Sequence, residues 1–329
     1  MSAINTGLPD GTEDFVGIKA KELEALRNSL LAKFYKNDYQ LVIPSLIEFS
    51  DSIGGNANDS LKDFSYCFSD DASSKEISIR PDISQQIARI DIQQGAKGKK
   101  KYCYFGETLR KTTDSLTKSR TAFKAGVELF GKISIADEIS ILNLLISCIK
   151  STGKKKITLS LGRTEPLLEL IDSLKLNLNN TKKLKNIMSS KSQTDLEEFC
   201  KPLNIKRNFV HELKNLMLVN GSIDSLKYLK KHKNKKFQES AKKLERVVKS
   251  LPKSINYHFE FSDFPGFDYH EGLVFSIHVE GFGSSLAKGG HYKTRFKDNI
   301  IREALGFDIN ISSLIKNIKQ WRMFQIQQS

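Results

Sequence analysis

Cysteine is scarce: four in 329 residues (Cys67, Cys103, Cys148, Cys200), widely spaced and with no CxxC pair. That excludes a zinc ribbon, a thioredoxin-type redox site and a disulfide-stapled extracellular scaffold. The six histidines show neither HExxH nor any other metal-ligand spacing. Long apolar runs are missing too. The best stretch, Ile139–Ile149, is interrupted by Ser and Asn and falls short of the roughly 20 residues a membrane-spanning helix needs. The N-terminus has no basic flank ahead of an apolar core, so no secretory signal and a cytoplasmic location are expected. GxGxxG after a strand, GxxxxGK[ST] and GxSxG are all absent, which removes the phosphate loops of Rossmann and P-loop proteins and the nucleophile elbow of hydrolases.

What remains is an ordinary globular composition, 39% hydrophobic and 27% charged, long enough for about two domains. The net charge of +14 is concentrated: Lys150–Lys253 holds 25 Lys and Arg against 10 Asp and Glu, whereas the rest holds 27 against 28. One segment therefore carries the whole excess and reads as a separate unit. Its functional reading is a surface for nucleic acid or an acidic partner. The plainer reading is a solvated lysine-rich face, because KKHKNKK (Lys230–Lys236) and KGKKK (Lys97–Lys101) contain neither arginine nor stacking aromatics.

Apolar positions Leu23, Leu26, Leu30, Leu31 and Phe34 predict a helix over residues 18–37. Tyr39–Pro44 reads as a strand ended by proline, and Glu76–Arg80 as an alternating strand. Pro81 then opens a helix through Gln94. Lys101–Leu109 and Ala125–Gly131 predict strands around a polar loop, followed by an apolar helix Ser134–Lys150 and a strand Lys156–Leu161. From Arg163 to Lys253 only helical periodicity is visible, with no strand candidate. Strands resume at Asn256–Phe261 and Leu273–Glu280, a glycine-rich piece Gly281–Gly290 follows, and a last helix begins near Ile311. Strands joined by short or polar links favour an antiparallel α+β sheet over a doubly wound one.

The remaining local signals form one ordered set. They are Leu8-Pro9-Asp10-Gly11-Thr12-Glu13-Asp14, Ile43-Pro44, Arg80-Pro81-Asp82-Ile83-Ser84 with Arg89, Arg110, Arg120, Ala125-Gly126-Val127-Glu128-Leu129-Phe130-Gly131, Gly266–Phe275, and Gly289-Gly290-His291-Tyr292. In this order they resemble the catalytic core of histidyl-tRNA synthetase, a class II synthetase, and most of all its paralogues, the regulatory subunits of short-form ATP phosphoribosyltransferase. The resemblance spans nearly the whole chain and is weakest in the basic segment. It implies a class II synthetase-like core, an antiparallel sheet flanked by helices, over residues 1–162 and 254–329. A basic helical insertion would fill 163–253, with no anticodon-binding domain.

A pocket for a zwitterionic amino acid needs an anion for the ammonium, donors for the carboxylate and an acceptor for a ring N–H. By resemblance, Asp82 and Ser84 sit where the family grips the amino group and Glu128 where it reads the imidazole. Tyr269, His270 and Tyr292 fall in the stretches that line the ring, and Arg110 matches the arginine that holds the ATP α-phosphate in a true synthetase. Lys124 stands in the same pocket in place of a glutamine. Each residue also has a structural reading: a helix N-terminal charge for Asp82, ion pairing for Arg110 and Glu128, core packing for Tyr269 and Tyr292. The family dimerises through the region that includes Pro44.

Several positions depart from a working synthetase. Pro265 and Ser313 stand where adenylation arginines are expected, and Thr112 where an acid is. Losing fixed cations from a pentacovalent phosphate transition state costs several kcal/mol of barrier. The resemblance therefore implies a non-catalytic subunit, with no cofactor. It would join the short catalytic subunit of ATP phosphoribosyltransferase as a homodimer within a hetero-oligomer and respond to L-histidine as effector. A synthetase-like RNA-binding protein is the alternative, and a histidine-activating ligase is the least favoured reading. Glu271, His291 and Lys293 interrupt the regulatory pattern. A lysine at position 124 repels a ligand ammonium unless it turns toward the ligand carboxylate.

Overall fold

The structure is a computed structural model and describes residues 7–53, 59–112, 119–262, 270–295 and 301–316. Twelve strands run in chain order among them: β1 (Gln40–Leu41), β2 (Ile47–Phe49), β3 (Tyr66–Asp70), β4 (Lys75–Ile79), β5 (Lys100–Leu109), β6 (Thr121–Phe130), β7 (Ile157–Arg163), β8 (Asn220–Gly221), β9 (Asn256–Glu260), β10 (His270–Val279), β11 (Ala287–Arg295) and β12 (Ile301–Asn310). Nine form one sheet in the order β1-β5-β6-β12-β11-β10-β7-β9-β8, and β2-β4-β3 form a small antiparallel sheet beside it. The large sheet is antiparallel through its centre, as the strand links suggested. Parallel pairs, β1 with β5 and β7 with β9, lie toward its two edges, so the sheet is mixed.

The helix Ile18–Lys36 buries Leu23, Leu26, Leu30, Leu31 and Phe34, the stripe read from the sequence. With the helix Ile135–Lys150 it covers one face of the sheet, against Cys103, Ala125, Val127, Leu129, Leu305, Phe307 and Ile309. Ser134 starts the second helix with a capping box: its side chain accepts from the Asp137 amide, and the Asp137 carboxylate accepts from the Ser134 amide. On the opposite face the helix Ser84–Gln93 lies over Tyr102, Tyr104, Phe130, Tyr292 and Ala304 through Ile83, Ile87 and Ala88. Period-two alternation along β5, β6 and β12 thus sends one set of side chains to each layer.

Three expectations need correction. The strand expected over Tyr39–Pro44 is only two residues long, because the buried Arg80 claims the following carbonyls: its Nη1 donates to Pro44 O at 2.9 Å. The helix expected from Pro81 begins at Ser84, because the Asp82 carboxylate takes the Ile83 amide at 2.6 Å. The basic segment is not purely helical. Its Asn220–Gly221 pair forms β8 against Glu260 and Phe259, stitching the segment to the sheet edge. Its apolar residues, such as Leu184, Leu213, Phe237 and Leu244, join the main core. No described helix is long and apolar enough to cross a membrane.

Gly306 and Gly126 are required by close approach of the backbone. A Cβ on Gly306 would overlap the Glu128 carboxylate and the Val127 carbonyl; one on Gly126 would overlap the Tyr104 ring and hydroxyl. Gly306→Ala is expected to lower stability by about 1–3 kcal/mol, the usual cost of overpacking, measurable as a lower urea midpoint.

Candidate functional site

The candidate site is a cluster of buried polar side chains on the sheet face beneath the helix Ser84–Gln93. Cross-strand register places Tyr102, Glu128, Gly306 and Gly290 in one row, Tyr104, Gly126 and Asp308 in the next, and Gly106, Lys124 and Asn310 in a third. Glycines in each row keep the floor low, and the polar side chains beside them stand in the room this leaves.

Glu128 lies at the centre and is buried, with Tyr292 Oη donating to its Oε2 at 2.8 Å. Burial pushes its carboxyl up to about 8; hydrogen bonding with Ser84 and Tyr292 offsets part of this, and the nearby Asp82 and Asp308 charges add to it. The Tyr104 hydroxyl is raised far above its ordinary value, first by burial and then by Asp308, Glu128 and Asp82, so it stays protonated at physiological pH.

Asp82 behaves differently. Burial alone would raise it, but the charges of Lys124 and Arg110 and the amides of Ile83 and Ser84 hold it below the usual carboxylate range. Lys124 Nζ lies 3.9 Å from Asp82 Oδ1 and 3.3 Å from Asp308 Oδ2. Asp82 Oδ2 is buried and has no hydrogen-bond partner among the described residues. Arg110, directly after β5, donates from Nε to Pro81 O at 3.1 Å, and its guanidinium carbon lies 5.6 Å from the Phe64 ring centre.

Asp82, Ser84, Arg110, Lys124, Glu128 and Tyr292 are therefore gathered at one place. His270 is the first residue of β10 and registers with Tyr292; Tyr269 and Pro265 lie outside the described residues. His291 belongs to the other face of β11, opposite Leu305 rather than the pocket. Glu271 and Lys293 pair with each other at 2.6 Å, so these two departures offset each other. Ser313 is buried in the first turn of the helix Ile311–Lys316. Pro44 is buried, while Ile43, Leu46, Ile47 and Phe49 around it are exposed.

Tyr104 and Asp308 escaped the sequence reading. The signal was present as Tyr102-x-Tyr104-x-Gly106, Lys124-x-Gly126-x-Glu128 and Gly306-x-Asp308-x-Asn310, three alternating sets that put small or polar residues on one face.

A profile of histidyl-tRNA synthetase matches residues 11–314. The chain belongs to the histidyl-tRNA synthetase family. Within reach of this family stands the ATP phosphoribosyltransferase regulatory subunit of Psychrobacter arcticus, 28% identical over 330 residues, covering 94% of this chain and 81% of that protein. The fold of this histidyl-tRNA synthetase family member is shared with a Bacillus halodurans ATP phosphoribosyltransferase regulatory subunit/histidyl-tRNA synthetase, at a TM-score of 0.80 and 16% identity, over 97% of this chain and 85% of that one. It is shared also with a chain of the ATP phosphoribosyl transferase (HisG:HisZ) complex from Thermotoga maritima, at a TM-score of 0.64 and 15% identity, over 91% and 98%.

The basic segment of this family member is laced with ion pairs. Lys191 meets Glu260, Lys214 meets Glu197 and Lys236 meets Glu169. Lys230 meets Glu245 at 2.8 Å and Lys227 meets Asp224 at 2.9 Å. Several of its lysines are thus held on its own surface, which fits a solvated face and gives the RNA-binding alternative no added support, although the excess of 25 cationic over 10 anionic residues is not reduced by pairs within the segment.

Proposed function

We propose that this chain is a non-catalytic regulatory subunit that assembles with the short catalytic subunit of ATP phosphoribosyltransferase and supports its activity in the first step of histidine biosynthesis. The likeness to a curated regulatory subunit along 94% of the chain carries the reading. The pocket chemistry supports it. Adenylation needs fixed cations around a phosphate, and Arg110 is turned to Pro81 O and the Phe64 ring, while a buried serine, Ser313, stands at the expected arginine position. In this reading Glu128 and Tyr292 face the imidazole ring of an effector related to L-histidine.

A second copy of the chain is assigned to the surface beside Pro44. Supporting this is a groove of ≈ 460 Å³ in which Ile47, Phe49 and Ile77 lie among polar and charged side chains that include Glu48, Asp70 and Arg89, with exposed Ile43 and Phe68 nearby. Arg80 and Gln86 brace the loop, Gln86 Nε2 donating to Ser45 O at 2.8 Å.

The test is transferase turnover of the cognate short catalytic subunit with and without this chain. Turnover is expected to rise on its addition, and the chain alone is expected to give no histidine-dependent ATP–pyrophosphate exchange. No activation and no complex would remove the subunit role; exchange activity would make the chain a ligase.

A further inference from the structure

The helices Ile135–Lys150 and Lys235–Lys249 pack against each other and turn into β7 and β9, which are parallel neighbours. Both turns therefore lie at one end of the sheet, and Lys150 Nζ donates to Ser254 Oγ between them. They gather cations. Lys150, Lys155, Lys249 and Lys253 are exposed, Arg246 is exposed one turn before Lys249, and Lys154 Nζ lies 4.9 Å from the Phe282 ring centre. None of these six makes an ion pair among the described residues. The acid at the end of β10, Glu280, is held by Lys156 at 2.6 Å. Outside the described residues, 1–6 and 317–329 contain no acid. Asp263, Asp268 and Asp298 belong to segments that join β9 to β10 and β11 to β12 at the opposite end of the sheet, and Asp114 follows β5, five strands away.

Elsewhere in the basic segment lysines meet acids; here they do not. Arg246 and Lys249, three apart on one helix face, repel each other. The two helix C-termini offer only about one negative charge between them. A second copy would bring the same cations face to face. The apolar residues of the turns, Leu251 and Ile255, are buried, so no apolar contact is on offer. RNA surfaces that stack bases use exposed aromatics, whereas Phe282 lies beneath Lys154. Lysines are point charges on flexible stems and suit carboxylates scattered over a protein surface.

We propose that this end of the sheet docks a carboxylate-rich face of the catalytic subunit. The identity of the partner rests on the regulatory reading above; the acidity of its face rests on these cations alone. The sheet order puts β7 and β9 toward one edge and β1, which leads to Pro44, at the other, so a second copy and an acidic partner are held at separate places. Charge complementarity of this kind acts mainly on the rate of association.

The experiment measures binding of the cognate short catalytic subunit to the full chain by biolayer interferometry, at about 0.05 and 0.5 M sodium chloride. The triple variant Lys155→Glu, Lys249→Glu, Lys253→Glu is compared with a control of equal charge, Lys182→Glu, Lys201→Glu, Lys206→Glu, whose lysines are exposed elsewhere on the same segment. At low salt the triple variant is expected to bind at least tenfold more weakly, mostly through slower association, and the control within threefold of the wild type. High salt is expected to remove most of the difference. A complex that the triple variant leaves intact overturns the proposal while the subunit role stands. So does equal weakening by the control, which makes net charge rather than this place the cause. So does a duplex RNA whose binding the triple variant loses while the catalytic subunit still binds, which gives the surface to nucleic acid. Absence of any wild-type complex removes the subunit role and this docking together. Should the triple variant fail to fold by circular dichroism, Lys155→Gln, Lys249→Gln, Lys253→Gln takes its place, with at least a threefold loss expected and no loss overturning the proposal.

Discussion

Glu128→Gln is expected to leave stability at pH 5 nearly unchanged and to raise it by several kcal/mol at pH 9. The folded chain holds the Glu128 proton up to about 8, against an ordinary value of 4.5 for the free side chain. Between these two values the unfolded chain loses the proton and the folded chain keeps it, so stability falls as pH rises, by about 1.4 kcal/mol per pH unit. The contribution is complete below about pH 4.5 and gone above pH 8. Its full span is at most about 5 kcal/mol. Glutamine removes the titration and keeps an acceptor for Tyr292. Urea unfolding at pH 5, 7 and 9 checks this: the two curves of stability against pH should diverge as pH rises, and parallel curves would mean that Glu128 is ionised in the fold. Asp82 acts in the opposite sense. Its lowered carboxyl adds stability that is present above the ordinary aspartate range and is lost as pH falls through the folded value.

Asp91→Ala is expected to cost about 3–5 kcal/mol, the range for breaking a buried pair by removing one partner. Arg302 donates from Nε to Asp91 Oδ2 at 2.7 Å and from Nη2 to Oδ1 at 3.2 Å. The pair joins the helix Ser84–Gln93 to β12, the two elements that enclose the pocket. Without Asp91 the guanidinium keeps the Gly98 carbonyl at 3.1 Å, far less than a buried charge requires. Asp91→Leu combined with Arg302→Met should recover most of the loss, because an apolar pair of similar volume needs no desolvation. Urea midpoints of the single and double variants measure both effects. A single variant as stable as the wild type would show that the pair adds nothing.

The helices were legible because their apolar stripes are local. Leu23 to Phe34 and the apolar run within Ser134–Lys150 need no distant partner to be read. β12 was not legible. On the face of the candidate site it carries Arg302, Ala304, Gly306 and Asp308, residues that serve ion pairs and close approach of the Glu128 carboxylate rather than strand propensity. β11 was hidden for the same reason, since Gly289 and Gly290 look like a loop until β10 and β12 flank them. Asp82, Lys124, Glu128 and Tyr292 entered through the family resemblance. That Lys124 lies between two carboxylates could not be read, because Asp308 is 184 residues away in the chain.

The two outer strands of the nine-stranded sheet, β1 and β8, are two residues each, against ten in β5, β6, β10 and β12. More of the outer side of β5 is taken by other groups. Val42 donates to the Cys103 carbonyl at 2.8 Å, Leu109 donates to the Arg80 carbonyl at 3.1 Å, and Arg80 Nε donates to the Glu107 carbonyl at 2.7 Å. A sheet this large would otherwise present two long templates on which another chain could add a strand, the route to runaway polymerisation. Both are blunted here. Association of this molecule with a copy or a partner is therefore left to side-chain surfaces, such as the apolar one formed by Ile43, Ile47, Phe49 and Phe68, where shape and chemistry can discriminate between partners and an open row of backbone amides could not.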